Sequence, residues 1–162
     1  MISEKEMFLN MWEKEFQTTL KVLKVFPVNR ENFKPHEISK SAKELAWIFV
    51  TEEKVMIDGA LNGEIKFGGH TMPATINEVI SEYEKSHQQI VDKVKSFSEE
   101  KLNETIKFHV AAKTLGDVRK MDILWLTVMD MIHHRGQFSI YLRLVGAKVP
   151  SIYGPSADEP WS

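Results

Sequence analysis

Cysteine is missing from this chain altogether, which removes disulfides, thiolate-held zinc, iron–sulfur clusters and a thiol nucleophile from the chemistry it can perform unaided. Charge of one sign is missing as a pattern too. The 21 basic side chains are matched by 23 acidic ones, for a net charge of -2, and the lysines and arginines form no stripe on which a nucleic-acid backbone would lie. Nucleic acid is therefore not an expected partner. No apolar run approaches the roughly 20 residues of a bilayer-spanning helix, and the N-terminal ISEKEMFLNMW is acidic and amphipathic where a secretion signal is basic and then apolar. These readings predict a cytoplasmic protein with no membrane partner. No Gly/Ser linker or shift in composition divides the sequence, so residues 1–162 are read as one domain, long enough for a core of its own.

What the chain does have is helical periodicity. Phe8, Met11, Trp12, Phe16, Leu20, Leu23 and Phe26 repeat at helical spacing and stop at Pro27, which predicts a first helix over about 2–26. A second, over about 36–59, carries Ile38, Leu45, Ile48, Phe49, Val55 and Met56 behind Pro35. After the glycine-rich LNGEIKFGGHTM, Pro73 opens a third over about 73–97 with the seam Ile76, Ile80, Tyr83, His87, Ile90, Val94 and Phe97. Residues 98–118 are mixed in pattern and are read as a loop with an extended or irregular piece. A fourth helix follows over about 120–145 and stops at Gly146. Four long helices without strand periodicity predict an all-α fold, an up-and-down or crossover four-helix bundle whose ligand site is built from facing helices. The tail over 147–162, with its prolines, a Tyr and a Trp, cannot be helical and is expected to pin itself across the surface by aromatic contacts.

The fourth helix holds a conflict. In MDMIHHRGQFSIYLRL, Asp130, His134, Gln137 and Tyr141 share a face with Ile123, Leu126 and Leu144, so polar groups interrupt a stripe that reads as core-facing. Burying a neutral polar group without a partner costs roughly 2–7 kcal/mol, so the fold must satisfy them. The reverse face, with Leu124, Trp125, Val128, Ile132 and Leu142, is apolar as well and is broken mainly by Arg135. A helix apolar all round is covered on both sides, and the simplest outer cover is a second subunit. This predicts a homodimer with Arg135 pairing across the interface. Gly136, in mid-helix, implies close helix approach.

Asp130 and His134 stand at i and i+4, the spacing that places two metal-capable side chains one turn apart. The same spacing also describes an Asp–His hydrogen bond in a packed core. His133 points elsewhere and reads as structural, His87 reads as a core histidine with a hydrogen-bond partner, and His36, His70 and His109 read as surface residues.

The run HHRGQFSIYLRLVGAKVPSIYGPSADEPW, the preceding ILWLTVMDMI and the second-helix stretch SAKELAWIFVTEE resemble the DinB-like superfamily, also called DinB/YfiT-type, over essentially the whole chain. The resemblance implies an up-down-down-up four-helix bundle, a dimer, and a divalent ion, often zinc or nickel, held by three histidines: one on helix two and an i, i+4 pair on helix four. It also implies a hydrolase or a transferase that uses low-molecular-weight thiols. His134 matches the second helix-four histidine, but Asp130 stands where the first is usual and Ile48 where the helix-two histidine follows Leu45-Ala46-Trp47.

Three outcomes follow for the pocket. In the first, the site is rebuilt from His134 and Asp130 with Glu52, one turn beyond Ile48, or His87 as third ligand. Carboxylates with one imidazole favour Mn²⁺, Fe²⁺ or Mg²⁺ relative to a three-histidine set, with zinc still accommodated. In the second, no metal binds and Asp130 orients His134 as a general base or anion site. In the third, the site is vestigial and the chain is a non-enzymatic dimeric scaffold or binding module, in a stress response for example.

Overall fold

Ser3, Ser41 and Thr75 start three of the helices by one device. Each side chain accepts a hydrogen bond from the backbone N–H three residues on, and the glutamate there, Glu6, Glu44 or Glu78, accepts from the cap's own N–H. The computed structural model describes residues 2–162, so the first residue of the 1–162 span lies outside the described residues. Its first helix, α1, is Glu4–Lys24 and its second, α2, is Ala42–Thr51. The chain then widens into a π-helical turn, Glu52–Ile57, and tightens again into α3, Asp58–Asn62, which Gly63 ends in the left-handed conformation at φ 87. Next come α4, Ile76–Ser96, a short α5, Glu99–Asn103, and the strands β1, Thr105–Ala111, and β2, Thr114–Arg119; α6 is Lys120–Leu144.

Two expectations are corrected here. The second helix begins at Ala42 and not at His36, because the capping box at Ser41 and Glu44 fixes the start; Ile38, counted as core, is exposed. The fold is mainly helical but not all-α: residues 105–119 form an antiparallel hairpin with Ile106 opposite Val118 and Phe108 opposite Gly116. Only Ile106 of β1 is buried, so the strand anchors one end of the hairpin and leaves the rest open to solvent. No helix among the described residues is long and apolar enough to cross a membrane.

The helices α1, α2, α4 and α6 pack pairwise, α1 on α6 and α4, α2 on α4 and α6. Their apolar side chains form two clusters, one around Phe16, Leu23, Phe49, Phe138 and Leu142, the other around Phe8, Trp12, Ile57, Val94 and Leu124. His87 joins them: its ring stacks on Phe16 at 3.5 Å and meets Trp12 edge-on at 4.7 Å. The α4 seam is buried from Ile76 to Val94, as its spacing predicts.

The face of α6 assigned to a dimer interface is instead inside the chain. Leu124, Val128 and Leu142 are fully covered, and the exposed apolar residues are Leu126, Met129, Ile140 and Leu144. Arg135 sets this rotation. Its guanidinium lies buried against the Glu15 carboxylate of α1 at 2.6 Å and also donates to the Glu15 carbonyl and to Thr19. The Tyr153 hydroxyl from the tail donates to Glu15 at 2.6 Å while its ring lies against the guanidinium. Ion pairs from Lys21 to Glu159 and from Arg143 to Asp158 hold the rest of the tail; Trp161, expected to help, is exposed.

Removing one partner of a buried ion pair leaves an uncompensated charge, at a cost of about 3–5 kcal/mol. Glu15→Ala is therefore expected to lower the unfolding free energy by about that amount in urea titrations, whereas Glu84→Ala, which breaks an exposed pair with Lys24, should lower it by less than about 1 kcal/mol.

Candidate metal centre

Glu52 is the first residue of the π turn, and Asp130 and His134 lie one turn apart on α6, the helix packed against that turn. One donor atom from each of the three residues falls within 4.8 Å of the others, and all three side chains are half-buried. His134 Nε2 stands 3.4 Å from Asp130 Oδ2. The other ring nitrogen is committed: Nδ1 donates to Gln137 Oε1 at 3.0 Å, and the Gln137 amide in turn donates to His133 Nε2 at 3.0 Å. This chain of bonds assigns the proton to Nδ1 and leaves the Nε2 lone pair facing the carboxylates, the arrangement that metal-binding histidines use.

Burial and a neighbouring carboxylate both act on Glu52. Partial burial pushes the Glu52 carboxyl up to about 7; the Asp130 carboxylate nearby adds to the rise and His134 opposes it. Two carboxylates facing one imidazole form a hard, oxygen-rich donor set. Two ligands at about 2.0–2.2 Å from a common ion are at most about 4.4 Å apart, close to the 4.8 Å within which the three donor atoms lie. The donors thus fit a divalent cation, with coordination positions left for water or a ligand.

The structure separates the two proposed third ligands. Glu52 reaches the site. His87 does not: its Nδ1 is 2.8 Å from Glu53 Oε1 and its Nε2 is 3.3 Å from Glu13 Oε2, so both ring nitrogens are occupied in the core. Ile48 packs against the apolar cluster and contributes no donor. Tyr141, placed on the site's face by its spacing, donates to the Lys40 carbonyl at 2.9 Å, away from the three ligands. Gln137 belongs to the site through His134, although it is exposed.

Glu53 went unremarked in the sequence. It is fully buried, its Oε1 accepts from Trp12 Nε1 at 2.9 Å and contacts His87, and its Oε2 has no partner among the described residues. Burial raises its pKa against the pull of His87 and Trp12. The signal was a pair of adjacent glutamates inside an otherwise apolar helix. In a regular α-helix two neighbours point about 100° apart. Here they open a π turn, a distortion often found at functional sites, and one faces α6 while the other enters the core.

The comparisons with known proteins agree with this geometry at the level of fold and family. A model of the DinB family matches residues 1–161. The chain is similar to YrdA of Bacillus subtilis, a protein described as uncharacterized: 25% identity over 156 residues, covering 94% of this chain and 89% of that one. It is similar in fold to a crystal structure of a DinB-like protein from Bacillus cereus, with a TM-score of 0.76, 22% identity and coverage of 90% and 95% of the two chains. A second DinB-like crystal structure, YjoA from Bacillus subtilis, gives a TM-score of 0.72 at 19% identity and covers 96% of this chain and 99% of that one.

The raised pKa of Glu52 has a sign that can be tested. The folded protein holds this proton up to about 7 and the unfolded chain releases it near 4.5. The contribution of Glu52 to stability in the metal-free protein is therefore present below the unfolded value and lost as pH rises through that window. Urea midpoints of the metal-free protein at about pH 5 and about pH 7.5 should show a smaller fall for Glu52→Gln than for the natural chain; equal falls would contradict the assignment.

Proposed function

The chain belongs to the DinB family, and on that premise we propose that Glu52, Asp130 and His134 hold a divalent cation in a small-molecule site of the metal-dependent hydrolase or low-molecular-weight-thiol transferase type. The observation that carries this reading is the convergence of three donors from two elements, with His134 Nε2 left free and turned toward the carboxylates by Gln137. Of the ions weighed, Mn²⁺ and Fe²⁺ suit two carboxylates and an imidazole best, with zinc and nickel accommodated. A bound cation would supply Lewis acidity and ease deprotonation of a water or thiol beside it. The chain's own residues do the rest. His134 is held in one tautomer, Glu52 brings a partly desolvated carboxylate, and Asp130, more open than His134, is placed to accept a proton from an incoming water or thiol. In this reading the scaffold is an up-down-down-up four-helix bundle, and the protein works in the cytoplasm.

We assign the homodimer interface to a different face of α6 from the one first expected. Leu126, Met129, Ile140 and Leu144 form an exposed apolar stripe. A Cβ added at Gly136, on the same exposed side, would meet nothing within 4 Å, so no helix of this chain explains that glycine. A second copy approaching α6 would. The competing class, a non-enzymatic dimeric scaffold with a vestigial site, draws on the exposure of Asp130 and on Ile48 at a usual ligand position. A thermal melt indifferent to every divalent ion would favour it.

Elemental analysis of protein purified without affinity tag or chelator is expected to find near-stoichiometric metal that His134→Ala loses while its circular dichroism stays helical. Gln137→Ala, which frees the imidazole to turn, should weaken the ion by about 10–100-fold in competition titrations. Metal absent from the natural chain, or retained in His134→Ala, would overturn the reading.

A further inference from the structure

Beside the three donors lies a cavity of about 270 Å³ that shares Glu52 with them. Its walls are Trp47, Val55 and Met56 from the same helical run and Phe67 and His70 from the loop between α3 and α4. The polar groups on this wall are few. Thr51 also lines it, but its hydroxyl is spent on the Trp47 and Ile48 carbonyls at 3.3 and 3.1 Å. Apart from Glu52, that leaves His70, whose ring makes no hydrogen bond among the described residues; it also borders the two neighbouring cavities. Phe67 is 69% exposed although it is a large apolar side chain beside a cavity. The loop takes this course through Gly68 and Gly69, both left-handed at φ 91 and 83, a conformation that side chains other than glycine rarely adopt.

Resting on the metal reading above, we infer that this cavity is the substrate-binding side of the centre and takes a compact molecule with an aromatic body and an oxygen-donating head for the ion. Trp47 and Phe67 hold the body and His70 hydrogen-bonds the polar head. Size supports this choice. A cavity of roughly 150 Å³ holds a benzene ring, so 270 Å³ admits one ring with a short substituent. Chemistry supports it as well, because apolar and aromatic walls with a single convergent polar group fix the orientation of a ring-bearing ligand. His70, read from sequence as a surface residue, is exposed as expected, but it is exposed into this cavity.

The test uses the full chain loaded with Co²⁺ and two probes that differ only in body, benzohydroxamic acid and acetohydroxamic acid, followed by the visible spectrum of the ion. Benzohydroxamic acid is expected to bind about tenfold more tightly, the scale of one good aromatic contact. Phe67→Ala should collapse that gap, while His70→Ala should weaken both probes alike, again by about tenfold. Phe67 and His70 are exposed, so neither substitution threatens the fold. Equal affinities for the two probes, or a gap untouched by Phe67→Ala, would overturn the inference and leave the metal reading intact; affinities unmoved by His70→Ala would overturn the role given to that residue. If the chain takes up no cobalt, the metal reading fails, and the cavity is then judged by fluorine NMR of the metal-free protein with 4-fluorobenzamide. Binding weakened by Phe67→Ala supports the aromatic pocket, and no binding overturns it.

Discussion

Two buried polar side chains, Arg135 and Glu53, orient the helical turns that carry the candidate ligands. Neither can sit in a helical core without a partner, because burying a charged or polar group costs several kcal/mol unless a partner replaces the lost water. Arg135 therefore has to meet Glu15 and the α1 backbone, and Glu53 has to meet Trp12 and His87. Each requirement fixes the rotation of the helix that carries the side chain. The residue just before Arg135 is His134, and the residue just before Glu53 is Glu52. With Arg135 locked toward α1, His134 is turned about 100° away, toward the α2 side; with Glu53 locked into the core, Glu52 is turned toward α6. The candidate metal centre is thus held by side chains that never touch it, each one position along the chain from a ligand.

The π turn extends this logic. Glu52 and Glu53 open this turn and serve different neighbours. A turn widened by one residue shifts the phase and lets Glu53 reach Trp12 on α1 and His87 on α4 while Glu52 reaches Asp130 and His134 on α6. Such a turn gives poorer backbone hydrogen bonding than an α-helix. It persists here because the side chains on either side of it are over-determined by their partners.

Much of this was legible in the sequence, and the reasons differ by element. The α4 seam could be read because Ile76, Ile80, Tyr83, His87, Ile90 and Val94 recur at regular spacing and all of them are buried. The start of α2 could have been read from Ser41 and Glu44, a capping box that outranked the more conspicuous Pro35. The hairpin was harder: Ile106, Phe108 and Val110 alternate as a strand should, but only Ile106 is buried, so the hydrophobic signal was weak. The faces of α6 were assigned wrongly because periodicity gives the angles between residues and not the direction of the core. Arg135 looked like a break in an outer face and is the residue around which the inner face is organised. That Asp130 and His134 pair with Glu52 and not with His87 depends on which carboxylates surround His87 in three dimensions, and no spacing along one helix contains that information.

The composition of the centre bears on the kind of chemistry it can support. In the pattern the chain resembles, three neutral imidazoles leave a divalent cation with its full charge of two. Here carboxylates stand in for two of those positions, Asp130 directly and Glu52 one turn past Ile48, so that a cation held by them would be neutralised by its own ligands. A neutralised centre polarises a bound water or thiol less strongly, because the electrostatic drive to release the proton scales with the residual charge. It also has little attraction for an anion approaching from solvent, and the half-buried setting strengthens that difference by lowering the local dielectric. In the proposed reading recognition comes from the wall beside Glu52, where Trp47, Val55, Met56 and Phe67 surround a single histidine. The exchange of imidazole for carboxylate and the apolar lining point the same way, toward neutral, ring-sized molecules bound by contact area and one or two directed hydrogen bonds, in place of charged ones drawn in by the field of the ion.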